Sequence, residues 1–168
     1  MKDHVQKAKD KFGTDLPMDR IPIVIVAYQL RTPENMGMIL RLAGNIGAEK
    51  VLFVLEPDQQ LKESKLKKTA QTAIQHINWS FCLPDALNHY LPEGYTKIAL
   101  DTTAEAQNIF SSTLPKRFIL FLGNEVHGLP DAILHQCDEA WYIPMPGPTR
   151  SMNVAMAAAV ALFQRFRL

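Results

Sequence analysis

The chain has 168 residues, with 18 Lys or Arg against 17 Asp or Glu, a formal net charge of +1 and 47% hydrophobic residues. One domain of this length can bury a core without disulfides or metal. The near-neutral balance excludes a blanket electrostatic grip on nucleic acid, so any contact with nucleic acid must come from local clusters.

In chain order, residues 4–12 read as a short polar helix ended by Gly13. The charged start MKDHVQKAKDKFG lacks the apolar core of a signal peptide. "IPIVIVAY" (21–28) reads as a buried strand, 34–48 as a helix and "KVLFVL" (50–55) as a second strand. A helix with a basic face is expected over 64–74, a short strand over 76–82 and a helix from Pro84 to Tyr90. "YTKIAL" (95–100) is a strand followed by a weak helix or loop. "RFILFLG" (117–123) and "AWYIP" (140–144) are further strands, and 151–166 is the last helix. Continuous apolar strands alternating with helices imply a parallel sheet covered on both faces. No apolar run approaches the ~20 residues of a membrane span. Cys82 and Cys137 fit neither a zinc spacing nor a disulfide framework, which points to a reducing cytoplasm.

In such sheets ligands bind beyond the carboxyl ends of the strands, which directs attention to three stretches. The first, 31–48, places Pro33 in a turn and Asn35 at the expected N-cap of a helix. Gly37, Arg41 and Asn45 fall on one stripe, while Met36, Ile39, Leu40, Ala43 and Ile46–Gly47 face the core. The second, 118–130, runs from a buried strand into Gly123, Asn124, Glu125, His127 and Gly128. Glu125 there can hold an arginine or stand near a helix N-terminus. This stretch has neither a dinucleotide glycine pattern nor a P-loop lysine. The third, 142–163, stiffens a loop with Pro144, Pro146 and Pro148 ahead of an alanine-rich helix, with Ser151 as its expected N-cap.

Taken in order, the three stretches resemble the SpoU/TrmH family of RNA ribose 2′-O-methyltransferases, in the SPOUT superfamily. The first motif is carried by Pro33, Asn35, Gly37, Arg41 and Gly47, and the second by Gly123, Asn124, Glu125, Gly128 and Leu129. The third is carried by Ile143, Pro144, Met145, Ser151, Met152, Asn153 and Val154. Thr32 stands where the family usually has asparagine, and Met152 where it has leucine.

The resemblance implies an α/β fold: a parallel sheet flanked by helices, with a deep trefoil knot in its C-terminal third. It implies a methyltransferase domain over 21–168 behind a short helical extension at 1–20. S-adenosylmethionine would be the cofactor and S-adenosylhomocysteine the product, with no metal. The cofactor would be held by Leu100, Gly123, Asn124, Gly128, Ile143, Met145, Ser151 and Met152. Arg41, Asn35, Glu125, Ser151 and Asn153 would form the catalytic set. Arg31, Arg41 and Arg150 would grip RNA, with Lys62, Lys65, Lys67 and Lys68 as further candidates. A guanidinium, with a pKa above about 12, is a poor base, so Arg41 suits phosphate binding and alkoxide stabilisation better than proton abstraction. His127 is the alternative base. The resemblance also implies a homodimer whose active site lies at the subunit interface. The compact chain favours tRNA as the RNA partner. An rRNA substrate, or a non-catalytic RNA-binding dimer on the same fold, is the alternative.

Overall fold

The computed structural model describes residues 20–166. The polar helix expected over 4–12 lies outside the described residues. Seven strands form one sheet in the order β3-β2-β1-β6-β4-β7-β5. They are β1 (Ile21–Tyr28), β2 (Ala48–Val54), β3 (Trp79–Cys82), β4 (Thr96–Leu100), β5 (Gln107–Asn108), β6 (Phe118–Leu122) and β7 (Glu139–Tyr142). Every pairing is parallel. The central position of β6 explains its unbroken apolar run: all five residues are buried, because both faces of the strand are covered.

One face packs under α1 (Pro33–Ile46), α2 (Glu63–Ala70) and α6 (Val154–Phe163). The other face is closed by Leu87, Leu129 and Ile133. The early strands grow from β1 toward β3, and the later ones lie on the other side of β1. The topological switch therefore falls between β1 and β6, where α/β sheets place ligands. The register brings the carboxyl ends of neighbouring strands level: Ala27 pairs with Leu122, Leu122 with Leu100 and Leu100 with Trp141.

Several boundaries differ from the sequence reading, each for a local reason. α1 begins at Pro33, with Thr32 as the N-cap, so Asn35 lies inside the first turn rather than at the cap. Proline lacks an N–H and its fixed φ suits the first helical position. Gly37 is buried and does not share the exposed stripe of Arg41 and Asn45. A Cβ there would come within 2.6 Å of Thr69 Cβ and 2.9 Å of Leu66 O, so the glycine lets α2 cross closely. Gly47, with φ 69°, ends α1 in the left-handed conformation.

The single helix expected over 64–74 breaks at Gln71, whose φ is 52°, into α2 and the one-turn α3 (Ala73–His76). α3 takes His76 out of the strand expected there, and β3 starts at Trp79. Pro84–Ala86 forms a 3-10 turn ahead of α4 (Leu87–Tyr90). The stretch after β4 holds the two-residue edge strand β5. A one-turn α5 (Asp131–Leu134), absent from the sequence reading, follows Pro130. The final helix starts at Val154 rather than 151 and ends in a 3-10 turn over Gln164–Phe166.

Candidate functional site

The level ends of β4, β6 and β7, with the 144–153 loop, enclose a cleft of about 620 Å³. That lies within the roughly 300–1,000 Å³ typical of small-molecule sites. The turn after β6 forms one wall. Asn124 and Gly128 exchange backbone hydrogen bonds of 2.9 Å, closing a tight loop. The Asn124 side chain fixes it further, its Oδ1 accepting from the N–H groups of Val126 and His127. Its Nδ2 donates to Gln29 O at 2.6 Å, which ties the loop to the end of β1. A Cβ at Gly123 would lie 2.3 Å from Gly128 C and 2.5 Å from Leu129 N, so this position admits only glycine. Gly128 has φ 68°, and a side chain there would also press on the Asp101 carboxylate at 3.0 Å.

Beside the cleft, side chains from all three motif segments join in one relay. Asn153, not Ser151, caps α6: its Oδ1 accepts from the N–H groups of Ala155 at 3.0 Å and Met156 at 3.3 Å. Ser151 is exposed in the loop before it. Asn153 Nδ2 donates to Asn35 Oδ1 at 3.0 Å. Asn35, the one buried polar or charged side chain among the described residues, donates from Nδ2 to Glu125 Oε1 at 2.9 Å. Glu125 also accepts from the backbone N–H groups of Arg31 at 2.9 Å and Thr32 at 3.1 Å. It therefore holds the arginine's backbone rather than a guanidinium. It also caps α1 from the far side of the sequence, where the helix dipole favours negative charge.

Burial pushes the Glu125 carboxyl up, but the hydrogen bonds from the Arg31 N–H, the Asn35 amide and the Thr32 N–H outweigh it. The net effect holds the carboxyl below its ordinary range. A carboxyl whose folded value lies below its unfolded one contributes stability that is complete at neutral pH. That contribution is lost as pH falls through the folded value. Thermal melts at pH 7 and pH 4 should therefore show wild type losing more stability on acidification than Glu125→Gln; parallel losses would count against this assignment.

The eight residues expected to hold a cofactor, Leu100, Gly123, Asn124, Gly128, Ile143, Met145, Ser151 and Met152, all line the cleft. So do Glu125, His127, Arg150 and Asn153. Arg31, Asn35 and Arg41 do not; Arg41 stands exposed on α1. Lys62 and Lys68 are exposed on and before α2, while Lys65 pairs with Glu34 at 2.9 Å and Lys67 with Glu63 at 3.0 Å. Sequence reasoning missed Asp101, Thr102, Trp141 and Tyr142 in the lining. Asp101 Oδ1 accepts from Thr102 N at 2.7 Å and its Oδ2 from Leu129 N at 3.1 Å, so it anchors the far end of the glycine turn. The available signal was an acidic residue placed directly after a buried strand, at the edge where ligands bind. Among the described residues no group of three or more His, Cys, Asp or Glu could hold a metal ion, and no helix is long and apolar enough to cross a membrane.

Residues 22–163 match the profile of the SpoU rRNA Methylase family. The tRNA (cytidine(34)-2′-O)-methyltransferase of Beijerinckia indica is 28% identical over 151 residues, covering 86% of this chain and 90% of the relative. The 23S rRNA (guanosine-2′-O-)-methyltransferase RlmB of Haemophilus influenzae is 30% identical over 175 residues, covering 97% of this chain and 68% of the relative. The mouse tRNA (guanosine(18)-2′-O)-methyltransferase TARBP1 is 28% identical over 149 residues, and this chain spans only 9% of its length. A solved structure described as "Structural insights into the 2-OH methylation of C/U34 on tRNA" superposes with a TM-score of 0.76 at 29% identity. It covers 86% of this chain and 94% of its own. The sheet order, the cleft at the strand ends and the profile match over nearly all of the described residues agree: the chain belongs to the SpoU methylase family.

Proposed function

We propose that this chain transfers a methyl group from S-adenosylmethionine to a ribose 2′-hydroxyl of RNA, with tRNA the favoured substrate. The observation that carries the reading is the relay from Asn153 through Asn35 to Glu125. It draws three motif segments, far apart in sequence, to one side of one cleft. The cleft suits the donor. Gly123 and Gly128 make a wall of bare backbone against which a flat ring can lie, and Leu100, Leu122, Ile143 and Met145 supply apolar sides. Bound there, the donor supplies an electrophilic methyl group on a sulfonium. The protein supplies position and electrostatics.

The relay holds the first turn of α1, and so the helix that carries Arg41, in fixed relation to the cleft rim. Arg41 then meets the RNA as a permanent cation that stabilises negative charge developing on the ribose oxygen. Ser151 and Arg150, both exposed in the cleft lining, would contact the nucleotide. Arg31 extends the basic approach. Because Arg41 lies outside the lining of its own chain's cleft, the reading includes a homodimer in which each copy's arginine serves its partner. Support comes from α6, which is apolar on all sides yet leaves Met156 64% and Phe163 50% exposed, and from Met38 on α1 at 37%. The threaded knot over the C-terminal third belongs to the same reading, as does a reducing cytoplasm for the free thiols of Cys82 and Cys137.

The tRNA preference draws support from the Beijerinckia relative and the solved structure, which this chain spans nearly end to end. The rRNA alternative draws on the Haemophilus relative. Incubating the purified chain with S-adenosylmethionine and either bulk tRNA or rRNA, then digesting to nucleosides for mass spectrometry, separates them. A new 2′-O-methylnucleoside in tRNA is expected. Methylation confined to rRNA would move the substrate to the second reading. No methylation of either, with no heat on titrating S-adenosylhomocysteine, would sink the proposal.

A further inference from the structure

We propose that Asp101 is a specificity-determining residue that makes the cleft prefer the cationic methyl donor over its neutral-sulfur product. The inference rests on the function proposed above.

Asp101 follows the last residue of β4 and lines the cleft. Its two oxygens accept one backbone N–H each, from Thr102 and Leu129, which leaves further lone pairs on both. Among the described residues no basic side chain forms an ion pair with it; the two ion pairs present are Lys65–Glu34 and Lys67–Glu63. The other acid of the lining, Glu125, is offset by the N-terminus of α1, onto which it caps. Asp101 accepts from Leu129 N, just ahead of Pro130, the N-cap of α5, which is a single turn long. Arg150 is the basic side chain of the lining, and it sits exposed in the proline-rich loop. Asp101 is thus a carboxylate on the cleft wall with no ion-pair partner among the described residues.

Methyl transfer changes the ligand's charge. The sulfur–methyl bond breaks, its electron pair stays on sulfur, an oxygen–methyl bond forms and the hydroxyl proton leaves to solvent. The sulfonium becomes a thioether, and the bound ligand loses one positive charge, while its ammonium and carboxylate are unchanged. A carboxylate on the wall favours the charged form and loosens its hold once the charge is gone. That arrangement favours donor loading and product release.

Calorimetry on the purified protein with S-adenosylmethionine and S-adenosylhomocysteine tests this directly. Asp101→Asn should lower the ratio of S-adenosylmethionine to S-adenosylhomocysteine affinity by about fivefold, the upper end for a partly solvated charge pair, on top of any loss that the weakened anchoring of the glycine turn imposes on both ligands. Asp101→Glu should keep the preference even where both affinities fall. In wild type the preference should shrink as salt rises, since mobile ions screen it; this reading stands even if Asp101→Asn does not fold. Equal weakening of both ligands would reduce Asp101 to an anchor of the glycine turn and overturn the proposal. So would an unchanged ratio, or a wild-type ratio indifferent to salt. A wild type that binds neither ligand would instead overturn the methyltransferase reading itself.

Discussion

Replacing Gly123 with alanine is expected to abolish binding of S-adenosylhomocysteine and to lower the melting temperature by about 10 °C. The new methyl group would stand 2.3 Å from Gly128 C and 2.5 Å from Leu129 N. Both are backbone atoms of a loop that is closed by the Asn124–Gly128 bridge and pinned to Asp101. No side-chain rotation relieves the collision, so the loop itself must move and the bridge must open. Overpacking of this kind costs about 3 kcal/mol at its upper range, and each kcal/mol moves the midpoint of a domain this size by roughly 2–4 °C. The same displacement removes the cleft wall. Gly147→Ala is the control: a Cβ there meets nothing within 4 Å, so binding and melting should stay near wild type. Unaltered affinity in Gly123→Ala would show that this wall does not hold the cofactor.

Arg41→Ala is expected to lower kcat by about 10²–10³, the range for removing a group that stabilises transition-state charge. It should leave S-adenosylhomocysteine affinity unchanged. Because the side chain is exposed, the melting temperature should also hold. The assignment of Arg41 to the partner's cleft allows a sharper test. Gly123→Ala has a ruined cleft but an intact arginine, and Arg41→Ala has the reverse. Co-refolding the two should restore part of the activity that neither has alone, since each mixed dimer then holds one complete site. An arginine acting within its own chain would give no recovery. Full turnover by Arg41→Ala alone would remove it from the catalytic set.

The fold class was legible because its signal is local and strong. Strands buried on both faces must be apolar throughout, and β1, β2 and β6 announce themselves on that ground alone. The glycines of the turn after β6 suit a positive φ or the close passage of a ligand on sequence grounds. That no side chain fits at Gly123 is a tertiary fact, since Gly128 and Leu129 press on it only once the loop folds back on itself. The caps were misread for a related reason. Ser151 and Asn35 are good capping residues taken singly, but Pro33 starts α1 two positions earlier. That leaves Asn35 buried and free to bond to both Asn153 and Glu125.

The resemblance of three ordered motifs to the SpoU/TrmH family implied most of the cleft's lining, while composition and apolar runs were enough to determine a parallel α/β sheet and its ligand-binding edge. Those features follow from each segment's own chemistry. Only the tertiary structure decided that Glu125 caps a helix more than ninety residues away, that Asn153 reaches Asn35, and that Asp101 lines the cleft. Such facts depend on which strand ends lie side by side, and strand order is a property of the whole sheet that no single segment carries.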